Sequence, residues 1–135
     1  MRYIITIDQR TSSSKALLFD EKFNIIDHKI IPHRVNHPKA DWVEADAEEI
    51  YANTVAVLKQ LNLPDESDAT FSISIVNQRE TVVVWDKNTG KPVYPAVMWQ
   101  CRRGAAFCQE LIDKGYETTI KERTGLIPDT YFSGS

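Results

Sequence analysis

Glycine is missing from the first 89 residues of this 135-residue chain, and only 5 occur in all. A Walker-type phosphate loop, which wraps an anion in glycine-permitted backbone turns, is therefore excluded near the N-terminus. Cysteine is scarcer still: the 2 residues, Cys101 and Cys108, lie seven positions apart in a helix-like segment. A rise of about 1.5 Å per residue separates them by roughly 10 Å, beyond the ~7 Å Cα reach of a disulfide. Two buried free thiols on one helical face are the expectation. With no His or further Cys close by in sequence, a metal site there is not expected.

Charge of one sign is lacking too. The 16 basic and 19 acidic residues leave a formal charge of -3 and a pI near 5.6, with no long block of either sign. That pattern carries no footprint for nucleic acid. No apolar run approaches the roughly 18 residues that a membrane span needs. Met1-Arg2-Tyr3-Ile4-Ile5 runs straight into strand-like sequence, without the apolar core and cleavage site of a signal peptide. A cytoplasmic protein with neither nucleic-acid nor membrane partners is expected. The 42% hydrophobic and 26% charged residues are ordinary for a globular chain, and the length suffices for one domain with a real core.

Residues 3–8, 15–20 and 24–31 are β-prone apolar runs separated by short polar turns, and they predict an antiparallel three-stranded meander. Residues 32–45, with Pro32, Pro38 and Trp42, read as a long irregular connection. Asp46 is a helix cap with Glu49 in capping-box position, and Ile50, Val55, Leu58 and Leu61 keep a helical apolar face ended by Pro64. A fourth strand is predicted over 70–76 and a fifth over 81–85, then an Asp86–Gly90 turn and an extended piece over 93–99. Helices are predicted over 102–114 and 116–123. The order points to an α/β fold with a mixed sheet. Three antiparallel strands followed by a helix crossing to a fourth is how a ribonuclease-H-like or actin-like ATPase fold begins.

Two polar clusters stand at strand ends. In Asp8-Gln9-Arg10-Thr11-Ser12-Ser13-Ser14-Lys15, a carboxylate is followed by four hydroxyls and a cation. Such a hairpin can hold phosphate oxygens, and Asp8 can hold water or Mg²⁺, although an ordinary polar hairpin has the same composition. Asn77-Gln78-Arg79-Glu80-Thr81 and Trp99-Gln100-Cys101-Arg102-Arg103 place Arg, Glu and Trp after apolar segments, as the lining of a polar pocket requires. On residue type alone, Arg79–Glu80 also reads as a surface pair and Trp99 as a core tryptophan.

Together with Trp42-Val43-Glu44-x-Asp46, Thr124-Gly125-Leu126 and Tyr131-Phe132-Ser133-Gly134, these segments resemble the FGGY carbohydrate kinases over essentially the whole chain. The pairing of Asn-Gln-Arg-Glu-Thr with Trp-Gln-Cys-Arg-Arg is specific for the branch that phosphorylates glycerol. The resemblance implies two actin-like domains with ATP and polyol in the cleft between them. It implies Arg79, Glu80, Trp99 and Tyr131 as polyol ligands, and Thr11, Ser12, Ser13 and Lys15 as phosphate contacts. Asp8 would lie near Mg²⁺, through water. In this chemistry Glu80 accepts from hydroxyls, Arg79 donates to them, and Trp99 walls the carbon skeleton. Two residues depart from the family pattern: Arg10 stands where the family has Gly, and Lys15 where it has Arg. A strained or rearranged loop is expected at Arg10, which could also offer a cation to the phosphates. Lys15 keeps the charge without the bidentate fork.

The chain ends at Ser135, within a segment that reads as unfinished. The family's catalytic aspartate, adenine-binding segment and second domain are expected beyond it. The expectation is an incomplete N-terminal domain, inactive alone, whose open sheet edge favours self-association. The alternative is a catalytically inactive remnant serving as a polyol-binding or interaction module. A ribonuclease-H-like nuclease fits poorly, because it needs several carboxylates on two metals and the fourth strand ends in Asn77-Gln78.

Overall fold

A computed structural model describes residues 1–132 of the chain. The elements are β1 (Arg2–Gln9), β2 (Ser13–Phe19), β3 (Ile25–Pro32), β4 (Glu44–Ala45), α1 (Ala47–Lys59), β5 (Thr70–Asn77), β6 (Ala96–Val97), α2 (Ala105–Asp113) and α3 (Glu117–Thr124). They fall into two compact units, one of Met1–Arg34 with Asp46–Gln78, the other of Val35–Ala45 with Arg79–Ser135.

The first unit is a four-stranded sheet in the order β3-β2-β1-β5. The meander β1–β2–β3 is antiparallel, and β5 joins β1 in parallel with Arg2 opposite Thr70 and Gln9 opposite Asn77. A parallel neighbour cannot be reached by a tight turn, so α1 supplies the crossover. Alternation along β1 and β2 puts Tyr3, Ile5, Ala16 and Leu18 on the face that α1 covers. The helix answers with Val57, and Leu61 just past its end completes the core. Val57 is fully buried, although the stripe Ile50, Val55, Leu58, Leu61 passes beside it. Asp46 caps the helix as expected, accepting from the N–H groups of Glu48 and Glu49 at 2.9 and 3.3 Å.

Two polar ties fix the helix over the sheet. Buried Ser14 lies 3.1 Å from the Thr54 hydroxyl, which donates to the Ile50 carbonyl at 2.8 Å, so Ser14 is the donor of the pair. Asp27 on β3 accepts from the backbone N–H and side chain of Asn62, both at 2.9 Å, and from Lys29 at 2.8 Å. β5 is the last strand of the described sheet, and Ile73, Ile75 and Val76 on it are exposed.

The second unit is built on the short antiparallel pair β4–β6, extended by single bridges from Asn36 to Glu44 and from Val82 to Val97. The strand expected over 81–85 is not formed. Val82 exchanges both backbone bonds with Val97 and Trp85 bridges Pro92, but Val84 and Trp85 stay exposed. β-propensity alone does not make a strand where no neighbour continues the ladder. The expected turn is present: Asp86 accepts from Asn88 and Thr89, and Gly90 closes it at φ 70°. α2 begins at Ala105 rather than Arg102, because two tight turns precede it, Cys101 N to Met98 O and Ala105 N to Arg102 O. Cys101 therefore sits in a turn and Cys108 in the helix. Both are buried free thiols, but they do not share a helical face. Among the described residues no helix is long and apolar enough to cross a membrane.

The Asn62 N–H, first, and the Lys29 ammonium, second, pull the Asp27 carboxyl from its ordinary 3.8 down to about 2. A folded value below the unfolded one means that the stabilisation is full above the unfolded value and lost as the group is protonated in the native state. Urea midpoints measured across acid pH should show the wild-type chain losing stability between about pH 4 and pH 2. In Asp27→Asn that part of the acid limb should be missing; superimposable limbs would refute the assignment.

Candidate functional site

In the first unit, Asp8 is the penultimate residue of β1, opposite Lys15 on β2, and a tight turn closed by Arg10 N to Ser13 O at 2.8 Å lies between them. Thr11, Ser12 and Ser13 form this tip. Ser14 points inward to Thr54 and is part of the core. Strain at Arg10 is not found: among the described residues, the non-glycine positions at positive φ are Phe23 and Glu80. Arg10 turns back instead, and its Nε lies 2.6 Å from Asp8 Oδ2. A cation arriving at Asp8 must share that carboxylate with Arg10 or displace it.

The tip is held from behind by His33, which carries no signal in the sequence, and by two glutamines of the motif segments. His33 is buried, its backbone N–H donates to Ser12 O at 3.0 Å, and its Nε2 lies 2.9 Å from Thr11 O. A carbonyl only accepts, so Nε2 is the donor to Thr11, while Nδ1 is buried without a hydrogen-bond partner. Gln9 donates to the Arg10 carbonyl at 2.7 Å, and Gln78, just past β5, reaches Gln9 Oε1 at 3.2 Å. A lone His within an irregular connection gave no periodicity to flag it. The loop that results presents hydroxyls, two cations and one carboxylate on a backed frame, which suits a polyanion. A shallow cavity of about 600 Å³, lined by Arg2, Tyr3, Ile4, Glu21, Lys22 and Ser72, lies at the opposite end of β1 and takes no part in it.

In the second unit the two motifs meet. Trp99 donates its backbone N–H to Thr81 Oγ1 at 3.3 Å, which joins the Arg79-Glu80-Thr81 turn to the start of the Trp99–Arg103 turn. The Trp99 and Tyr131 rings pack edge to face at 5.6 Å and 69°, and Tyr131 packs likewise on Phe132 at 5.2 Å and 88°. Ser133 and Gly134 of the same motif lie outside the described residues. Glu80 holds φ 65°, a left-handed conformation that costs a residue with a Cβ roughly 1–2 kcal/mol. Strain of this kind persists where surrounding structure imposes it, commonly at a functional site. Arg79, beside it, is exposed. Carboxylate, guanidinium, indole and phenol gathered in one unit suit a small polyhydroxylated molecule.

The turn after Trp99 carries a buried polar cluster. Glu44 Oε1 accepts from Arg103 Nη2 at 2.6 Å and from the Tyr94 hydroxyl at 2.9 Å. The Arg103 guanidinium lies 4.0 Å from the Trp42 ring centroid, and its Nε donates to Cys101 Sγ at 3.0 Å. Burial pushes the Glu44 carboxyl up, but the bonds from Arg103 and Tyr94 outweigh it and hold the group below the ordinary range. Burial likewise pushes the Cys101 thiol up, and the Arg103 bond brings it below its usual value. A glutamate inside the apolar run Trp42-Val43-Glu44-Ala45 is the signal that could have disclosed this cluster.

The chain is 48% identical to glycerol kinase 2 of Thermotoga maritima, over 100% of this chain and 28% of that protein. It is 45% identical to the glycerol kinase of Aeromonas hydrophila, over 99% of this chain and 27% of that protein. A glycerol kinase of Plasmodium falciparum, solved with ADP, superposes at a TM-score of 0.85 with 35% identity, covering 98% of this chain and 27% of that one. A xylulose kinase from Lactobacillus acidophilus, at 18% identity and a TM-score of 0.84, shares the fold, with 97% of this chain and 26% of that one covered. The chain thus spans little more than a quarter of the length of the curated relatives it matches. Its residues 3–135 match the N-terminal domain of the FGGY family of carbohydrate kinases, and the chain belongs to that family.

Proposed function

We propose that this chain forms the N-terminal part of a glycerol kinase, an incomplete domain carrying that enzyme's polyol wall and phosphate loop. The observation that carries the reading is the junction of the two motifs through Thr81 and Trp99, with strained Glu80 on one side and the Trp99–Tyr131 pair on the other. In this reading Arg79 donates to glycerol hydroxyls, Glu80 accepts from them, Trp99 covers the carbon skeleton and Tyr131 adds a phenolic bond. Thr11, Ser12, Ser13 and Lys15 receive the phosphates of ATP. The reaction breaks the bond from the γ-phosphorus to the bridging oxygen of ADP and forms one to a glycerol oxygen, whose proton leaves to a base. That base is expected in the part of the relatives that this chain does not span.

Asp8, one carboxylate among hydroxyls, is a donor set that fits an ion keeping most of its own water, as Mg²⁺ does. Among the described residues no group of three or more His, Cys, Asp or Glu could cage a bare ion. Mg²⁺ at the phosphates, when bound, supplies charge neutralisation for the transferring group. A cytoplasmic location belongs to the same reading, since ATP is a cytoplasmic reagent. The Arg10–Asp8 pair favours one competing reading, a polyol-binding module without chemistry, because it occupies the carboxylate that the phosphate loop would use.

Calorimetric titration of the 135-residue chain should show weak glycerol binding and no Mg-ATP binding, with no turnover when both are present. Turnover near 1 s⁻¹, the low end for kinases, would sink the proposal that the base lies elsewhere.

Glu80→Gly should separate strain from function. Relief of the left-handed conformation stabilises the fold by roughly 1 kcal/mol and raises the melting midpoint by about 3–6 °C. The same change removes the acceptor and weakens glycerol binding at least about tenfold, the effect of one lost charge-assisted bond. A variant that binds as tightly as wild type removes Glu80 from the site.

The uncovered strand β5 also makes self-association part of this reading for the chain alone. An unpaired strand edge without charge or proline is a template for pairing. Sedimentation velocity at rising concentration should show dimers or larger species, and a single monomer boundary throughout would exclude it.

A further inference from the structure

We propose that Arg103 is a positioning residue that sets the place of the Trp99 indole by clamping the turn after it onto Glu44. The functional weight of this claim rests on the polyol reading of Trp99; its structural part does not. The Trp99–Arg103 turn leaves β6 and is bonded to the 41–45 segment at two backbone points, Met98 N to Val43 O at 3.1 Å and Arg102 N to Asp41 O at 2.8 Å. The second point lies beyond Trp99, so the indole sits on a short arch between two anchors. Arg103 secures the far anchor with its side chain. It bonds Glu44 at 2.6 Å and Cys101 at 3.0 Å and lies over the Trp42 ring, 4.0 Å from its centroid.

Each of these partners is itself held. Glu44 is buried, paired through its backbone with Asn36 on one side and Val97 on the other, and receives the Tyr94 hydroxyl. Cys101, also buried, donates to the Asp41 carbonyl at 3.7 Å. A planar fork serves all three contacts together, and an ammonium cannot: it keeps the charge but loses the second bond and the stacked face. Supporting groups of this kind tune a site without touching what it binds. Arg103 contacts Glu44, Cys101 and Trp42, all in or beside the turn, and its effect on the Trp99 ring passes through that turn.

The test replaces the three tryptophans of the full chain, Trp42, Trp85 and Trp99, with 5-fluorotryptophan and assigns their ¹⁹F resonances by single Trp→Phe changes. Without glycerol, Arg103→Lys should shift the Trp42 resonance, whose stacking partner is lost, and also that of Trp99, while Trp85 stays in place. Glu44→Gln, an isosteric change on the other side of the clamp, should move Trp99 in the same direction. It serves as the deciding variant if Arg103→Lys does not fold. A folded variant in which Trp42 shifts and Trp99 does not overturns the positioning claim. Glycerol titrations of the same samples should then show affinity weakened about tenfold in Arg103→Lys, in line with the loss of other site-supporting groups. If glycerol leaves the wild-type Trp99 resonance unmoved, the substrate reading fails, and the ligand-free spectra still decide the role of Arg103.

Discussion

The parallel pairing of β1 with β5 is the constraint on which the first unit depends. Its register sets Gln9 opposite Asn77, so both strands run out at the same level. Ends of neighbouring parallel strands are where open α/β sheets gather ligand-binding groups. Here the level carries Asp8, the Arg10 turn and Gln78, and the bond from Gln78 to Gln9 across it depends on that register. A shift of one residue would turn Tyr3 and Ile5 away from α1, so the hydrophobic pattern and the loop geometry are fixed by the same choice. The parallel arrangement also requires the crossover that α1 makes, and Asp27 and Ser14 tie that crossover down.

Scarcity of glycine shapes the first loop and the Glu80 turn, each within its own unit, in opposite ways. At the first loop, arginine in place of the family's glycine is accommodated in an ordinary backbone conformation. The side chain folds back onto Asp8. The consequence is electrostatic rather than steric: the loop gains a cation and loses a free carboxylate oxygen. At Glu80 the backbone does enter the left-handed region without a glycine. A carboxylate is placed there at a cost in strain, and relief by glycine would remove the functional group. Natural sequences keep such unfavourable positions where the side chain has work that only it can do.

Much of the first unit was legible because period-2 alternation over 3–8 and 15–20, the Asp46 cap and the helical stripe all point to one arrangement. The run 81–85 misled because β-propensity states what a segment tolerates, not whether a neighbour is present to continue its ladder. Cys101 was misplaced for a related reason. Residues 102–114 have helical periodicity, but the start of α2 is delayed by contacts of Arg102 and Arg103 with Asp41 and Glu44, some 60 positions earlier. Among the site residues, the motif resemblance singled out Arg79, Glu80, Trp99 and Tyr131, and the structure brings Trp99 and Tyr131 into contact. It could not supply His33, whose part depends on the backbone turn of residues distant in sequence.

The Glu44–Arg103 pair shows why such a site is backed by charge rather than by hydrocarbon. An apolar pair of equal volume could fill the same space, and replacing buried ion pairs in that way is often neutral or stabilising. Hydrocarbon packing, however, has no preferred orientation finer than its shape. Arg103 answers three partners of different chemistry, a carboxylate, a thiol and an indole face, and one placement of its plane satisfies all of them. Glu44 is held below its ordinary range and Arg103 above its own. Both therefore stay ionised through the neutral range, and the clamp weakens only as falling pH protonates the carboxylate. The turn beside Trp99 is thus fixed in direction as well as in position. A flat aromatic wall, the part proposed for Trp99, needs both, since rotating the indole about its own bonds would turn its face away.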